Sequence, residues 1–368
     1  MADIVVYWDE SHFWGLMVLR ALDAWGVSAR LVRGTEIAQG ALEGNPGGLL
    51  IVPGGRAKGK AERLGRRGRA ALRSFVEGGG TYMGFCGGAG LALSGSGGLG
   101  LCPWTRKRFD DRLQHFLSGH MHASLTADAH GQDDLVPHAA LGEAALLPVW
   151  WPAQFQEQDG RDGDVEVLAR YQRPGPDFWV ADLRLGSLPG EIMDDWEALY
   201  GIRIRPDFLP GRPAIIAGPA GKGRYVLSYA HLETPASRQA NRWLAHILAA
   251  TAGLDADGPG PVPAWDVSAQ PRVWQDPGLD EARALMEDAI ATGVEHHLLF
   301  WRTPWLLGWR RGIPGAHLNS LYALVCDAQA AEPTDAALAL WRERGEDFLA
   351  GLRLLCRGLV GYLLAERL

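Results

Sequence analysis

The chain has 368 residues, 47% of them hydrophobic and 21% charged, enough apolar material to bury a full core over one large domain or two. Its 43 acidic against 36 basic residues give a formal net charge of −7, which argues against nucleic acid or an anionic membrane as partner. No run approaches the length of uninterrupted apolar residues that a membrane span needs, and the N-terminus "MADIVVYWDE" lacks a basic leader, so the sequence predicts no membrane segment and a cytoplasmic protein.

The first half alternates two kinds of element. "DIVVYW" is a short β-branched run of the kind found in buried parallel strands, and "FWGLMVLRALDAWG" has helical spacing ending at Gly26. "SARLVRG" and "GGLLIVPGG" read as the next strands, "RRGRAALRSFVEGG" as a helix with Leu72, Phe75 and Val76 on one face, and "TYMGFC" as a further strand. This order predicts an α/β fold, a flavodoxin-like, doubly wound and mostly parallel sheet with its site at the carboxyl ends of the strands. Strands follow in "HASLTA", "AALLPVWW" and "DVEVLARY". Residues 173–213 read as an insertion with a short helix near "IMDDWEALYG". Its Trp179, Trp196 and Tyr200 suit a lid over the site.

"AIIAGPAGKGRYVLSYAHLE" predicts a strand pair, and "SRQANRWLAHILAATAG" a helix. The domain boundaries expected are 1–253, a Pro- and Gly-rich linker at 254–273, and a small all-α domain at 274–368. In the last, Trp301, Trp305 and Trp309 recur every four residues, as along a helical packing seam.

Two short stretches carry chemistry. In "TYMGFCGGAG", Cys86 follows a strand and is surrounded by glycines, the requirement of a strained strand-to-helix turn that exposes a nucleophile. A thiol attacks an acyl carbon as thiolate, so it needs a base, and the base an orienting group. "YVLSYAHLET" supplies His231 and Glu233, two apart, which share a side if the segment is extended. The N–H groups of Gly87 and Gly55 are the candidates for holding an oxyanion, with Gly54 and Gly88 around the pocket and Trp150 and Trp151 at a strand end on the site side, one expected at the rim and the other in the core.

"VPGG", "GTYMGFCGGAG" and "GKGRYVLSYAHLE" together resemble the class I glutamine amidotransferase-like superfamily. Within it they are closest to the N-terminal domain family of biotin–protein ligases and its free-standing bacterial members, a likeness that also takes in "IVVYWDES", "LGRRGRAALRSFVEGGG", "VWWPAQF" and "VEVLARY". The resemblance implies a Cys-His-Glu triad at Cys86, His231 and Glu233, and a thioester intermediate on a small-molecule amide or related acyl substrate. Gly90 stands where ordinary amidotransferases have glutamine at the elbow, and His-Leu-Glu replaces their His-Pro-Glu.

No nucleotide motif or cofactor signature accompanies these residues, so no cofactor is expected. A partner protein as acyl acceptor or synthetase is left open, as is a homodimer. The second reading is a non-catalytic binding or regulatory module that keeps the pocket for its shape. His120 and His122 have no accompanying Asp or Cys at ligand spacing, so no metal is expected. "GRRGRA" at 65–70 reads as a solvated basic helix face, as does the basic run Arg106, Lys107 and Arg108 as a solvated loop.

Overall fold

The computed structural model describes residues 3–45, 47–95, 97–109, 117–126, 135–158, 165–201, 203–254, 260–309 and 314–367. They divide into two compact units, Met1–Ala264 and Trp265–Leu368.

The first unit opens with β1 (Ile4–Tyr7), α1 (His12–Ala24), β2 (Arg30–Val32), α2 (Gly34–Ala38), β3 (Leu49–Val52), α3 (Ala57–Glu77), β4 (Thr81–Phe85) and α4 (Gly87–Ala92). Every residue of β1, β3 and β4 is buried, which is why these strands read as continuous apolar runs rather than alternating ones. The next elements are β5 (Thr105–Arg106), β6 (Leu117–Leu125), α5 (His138–Leu141), β7 (Ala144–Trp150), β8 (Phe155–Gln156) and β9 (Glu166–Pro174). They are followed by β10 (Trp179–Val180), β11 (Leu183–Arg184), α6 (Gly190–Tyr200), β12 (Pro213–Ala220), β13 (Gly223–Ser228) and α7 (Arg238–Ala252).

The main sheet runs β11-β10-β6-β9-β12-β13-β4-β3-β1-β2, with β7 also paired to β6. From β13 to β2 every pairing is parallel. The flank beyond β13 is antiparallel. β12 and β13 form the predicted pair, turning at Gly221, whose φ is +64°. One pairing positions the site. β13 lies parallel to β4 with Ser228 opposite Phe85, so the segments leaving both strands emerge side by side.

Several expectations need correcting. α3 begins at Ala57 rather than near Arg66, and is broken at Gly65, whose backbone is non-helical at φ 60° and ψ −168°. Sequence reading missed its first part because Ala-Lys-Gly-Lys-Ala shows no apolar stripe. The segment expected as an insertion joins the main sheet, its β10 pairing with β6. Trp179 of the expected lid therefore sits on a strand, under the Arg184 guanidinium, and Tyr200 is exposed.

The second unit contains α8 (Pro277–Glu295), β14 (Leu299–Thr303), β15 (Leu306–Trp309), α9 (Pro314–Ala330) and α10 (Asp335–Arg367). Asp276 caps α8, its carboxylate accepting from the N–H groups of Gly278 and Leu279 ahead of a first-turn proline. The all-α expectation fails at β14 and β15, an antiparallel hairpin. Trp301, Trp305 and Trp309 are not a helical seam. Trp301 and Trp309 lie on the two strands and Trp305 in the turn between them. A spacing of four fits both arrangements, and the β-prone "LFWRT" decides for the strand.

The stretch expected as linker is held at both ends. Gly260 accepts from Trp25 Nε1 and the Val262 N–H donates to Asn241 in the first unit, while the Val267 N–H donates to Pro304 in the second. Contrary to the expectation of no candidate span, one helix among the described residues, Asp335–Glu366, is long and apolar enough to cross a membrane by length and composition. Only 22% of its apolar window is buried: Leu349, Leu352, Cys356 and Leu363 face inward, while Leu354, Leu355 and Leu364 are exposed.

Candidate functional site

Cys86 is the residue between β4 and α4, and it is partly exposed. Its φ is +46° and ψ −103°, a conformation that a side-chain-bearing residue adopts only when its surroundings enforce it. The enforcement is visible on both sides: the Cys86 N–H donates to Ser228 O at 2.7 Å, and its carbonyl accepts from the Gly90 N–H at 2.9 Å. The surrounding glycines are required by close backbone packing. A Cβ on Gly87 would lie 1.8 Å from Gly55 O, and one on Gly88 would lie 1.9 Å from Val52 O. Gly55 itself has φ +114°, and a Cβ there would meet Glu10 O at 1.9 Å. The two strand-end turns, 53–55 and 86–88, are thus packed main chain on main chain, with the Gly55 amide beside Gly87.

His231 and Glu233 follow β13. The His231 Nδ1 and a Glu233 carboxylate oxygen are 2.7 Å apart, and both side chains are fully buried. The segment 229–234 is bent and turned rather than extended, so the contact arises from a turn and not from strand alternation. The turn is braced by the Thr234 hydroxyl, which donates to His231 O at 2.8 Å and accepts from Trp150 Nε1 at 3.1 Å. The His231 N–H is in turn bonded to Pro148 O on β7.

Burial alone would pull the imidazole's pKa down. The Glu233 carboxylate outweighs it, helped by the Cys86 thiol, and the net direction is upward, favouring imidazolium. Cys86 is thus close enough to act on the ring, yet His231 Nε2 has no partner of hydrogen-bond geometry among the described residues. Loose thiol–imidazole contacts of this kind are common in unliganded sites.

The sequence-predicted residues do not all play the part expected of them. Of the two tryptophans, one expected at the rim and one in the core, Trp150 is the buried one and braces the His-x-Glu turn through Thr234. Trp151 is half-buried at φ +59°, with its ring edge-on to Trp14 at 5.6 Å. Trp14 was missed by sequence reasoning. Its ring lies 4.4 Å from that of His231, and a Cβ on Gly54 would touch both.

Lys60 of α3 was missed as well. It is fully buried, its ammonium donating to Ser11 Oγ at 2.5 Å and to Asp9 O at 3.0 Å, 5.4 Å from the centre of the Tyr7 ring. Burial lowers its pKa to about 7, against the opposing pull of Glu10, Asp9 and Cys86. The available signal was that residues 8–14 leave the carboxyl end of β1, a strand end like the two read as functional.

His120 is bonded through both ring nitrogens, to Asp177 at 2.7 Å and Ser237 at 3.0 Å. Among the described residues there is no cluster of metal-ligating side chains.

The family model "Biotin-protein ligase, N terminal" matches residues 36–95, the stretch that holds both glycine turns and Cys86 and ends well before His231. No curated protein matches the chain. Among solved structures, a putative GMP synthase subunit from Thermoplasma acidophilum is 10% identical, with 69% of this chain and 96% of that one covered and a TM-score of 0.42. PurLQS from Thermotoga maritima is 15% identical over 67% of this chain and 97% of that one, with a TM-score of 0.37. A β-galactosidase from Rahnella sp. R3 is 14% identical over 71% of this chain, with a TM-score of 0.40, and the match spans only 33% of that protein.

Proposed function

We propose that this chain is a cysteine-dependent acyl-transfer enzyme, an amide hydrolase or amidotransferase-like protein, working on a small molecule from a doubly wound, flavodoxin-like frame. The observation that carries the reading is the buried His231–Glu233 contact beside a cysteine held at positive φ. In this reading the Cys86 sulfur attacks the acyl carbon, and the carbonyl oxygen takes the electron pair of its π bond. The Gly55 and Gly87 N–H groups donate to that oxyanion. His231 gives its Nε2 proton to the departing amine as the carbon–nitrogen bond breaks, leaving a thioester on Cys86. The same nitrogen then takes a proton from water, or from an amine brought by a partner, as that nucleophile attacks and the sulfur leaves. Glu233 holds the ring by Nδ1 and stabilises the imidazolium.

All four cysteines stand as free thiols, which suits work in a reducing cytoplasm. Gly90 in the elbow, in place of the amidotransferase glutamine, points away from free glutamine as substrate. The second reading, a binding module, draws on the Trp14 ring, 4.4 Å from the fully buried His231 ring and tilted 34° to it.

Ammonia release from a panel of small carboxamides, measured for the wild type and for Cys86→Ser and His231→Ala, tests the choice. The acyl-transfer reading expects release by the wild type alone. No release from any substrate, or equal release by the variants, supports the binding module instead.

A further inference from the structure

A cavity of about 1550 Å³ opens between α3, the glycine-rich stretch that begins in α4, and β5 with the residues after it. Cys86, His231 and Glu233 are not among its lining residues, but Gly90, whose N–H donates to Cys86 O, is, so the cavity adjoins the site above without containing its triad.

Its charge runs against that of the chain. The whole sequence has more acidic than basic residues, yet among the described residues the lining holds Lys58, Arg69, Arg106, Lys107 and Arg108 against one acid, Glu62. Glu62 already faces Lys58 at 3.9 Å. Arg69 spends its Nε on Gly65 O, at the break in α3, and its two terminal nitrogens have no partner among the described residues. The side chains of Lys107 and Arg108 likewise have no ion-pair partner among the described residues.

Gly90, Gly95, Gly97 and Gly98 also line it. Gly95 and Gly97 have φ of +127° and +91°, and a Cβ on Gly98 would lie 2.0 Å from Leu93 O. No side chain at those positions narrows the space.

Gathering like charges around a cavity costs repulsion that an anionic guest removes. Arg69, Lys107 and Arg108, three basic groups with no ion-pair partner among the described residues, call for several negative charges within a small volume, which phosphoryl groups supply and a lone carboxylate does not. Arginine's fixed fork of donors suits phosphate oxygens, and the volume exceeds that of most small-ligand pockets.

We propose that this cavity binds a small molecule carrying two or more phosphate groups. The site stands independently of any chemistry at Cys86. Both basic runs read in the sequence as solvated, "GRRGRA" and Arg106–Arg108, contribute to it.

Isothermal titration of inorganic tripolyphosphate and of ATP, each without divalent cation, tests the site, with citrate as a polycarboxylate control. The wild type should bind tripolyphosphate saturably at one site. Arg69→Gln combined with Lys107→Gln should weaken that binding at least about tenfold, the loss expected for charge-assisted hydrogen bonds. Arg342→Gln combined with Arg344→Gln, distant in sequence on exposed α10, should leave it unchanged. An unaltered melting temperature checks that each variant is folded. ATP binding at the same site with the same sensitivity extends the assignment to nucleotides, while tripolyphosphate alone still supports it. Absence of saturable binding by either phosphate probe overturns the proposal. So does equal weakening by the control pair, or citrate binding as tight as tripolyphosphate.

Discussion

His231 Nδ1 lies 2.7 Å from a Glu233 carboxylate oxygen, and neither side chain has any exposed surface. Removing one partner of a buried pair strands the other, so Glu233→Ala should cost about 3–5 kcal/mol in a urea titration. Glu233→Gln keeps an acceptor for Nδ1–H but loses the charge that raises the imidazole's pKa. It should retain most of the stability yet slow acylation of Cys86 by roughly 10²–10⁴. Unchanged acylation in Glu233→Gln would mean that the carboxylate only holds the fold.

The four thiols should separate sharply on alkylation. Burial raises the pKa of Cys102 and of Cys326 to about 11 and also raises that of Cys356, and all three are buried, while Cys86 is partly exposed. Iodoacetamide near pH 7.5 should therefore modify Cys86 first, read by peptide mass mapping. Labelling of another cysteine at an equal or greater rate would contradict the placement of Cys86 at an open site.

The elbow glycines differ in what they tolerate. Gly87→Ala would drive a methyl into Gly55 O, and Gly55→Ala would combine a clash on Glu10 O with a strained φ. Each should cost about 3 kcal/mol or more, or prevent folding. Gly90→Ala meets only the Ala57 methyl, at 3.5 Å, and should change stability by less than about 1 kcal/mol. Thermal melts of the three variants give the ranking. Equal losses would show that the turns are not packed main chain on main chain.

Lys60 makes a signed pH prediction. Its folded pKa of about 7 lies below the ordinary lysine value of 10.5, so between these limits the unfolded chain binds a proton that the native state does not. Stability contributed by this group therefore rises with pH from about 7 to about 10.5. Lys60→Met removes the titration. The stability difference, wild type minus variant, should grow in favour of the wild type across that window, as measured by denaturant titration at several pH values. A flat difference would mean that the ammonium stays charged in the folded protein.

What the sequence made legible was what repeats or clusters. Buried parallel strands appear as apolar runs, so β1, β3 and β4 could be read directly, and the glycines around Cys86 signalled a turn by themselves. His-x-Glu was found for a partly wrong reason, since the contact is made by a turn that Trp150 and Thr234 hold. The hairpin at 299–309 was lost because tryptophans spaced by four satisfy a helix as well as a pair of strands around a turn. Trp14 and Lys60 had no signal of their own. An aromatic in an apolar helix looks like core, a lysine in a basic helix looks solvated, and only the tertiary fold brings Trp14 onto His231 and puts Lys60 beneath Tyr7.

The central claim is that Cys86 carries an acyl group during turnover. Intact-protein mass spectrometry after brief exposure to p-nitrophenyl acetate, followed by hydroxylamine, tests it most directly. The account predicts one added acetyl group, mapped to Cys86 and released by hydroxylamine as a thioester. It should form much more slowly in His231→Ala and be absent in Cys86→Ala. Acetylation elsewhere with Cys86 untouched, or equal acetylation of Cys86 in wild type and His231→Ala, would contradict it.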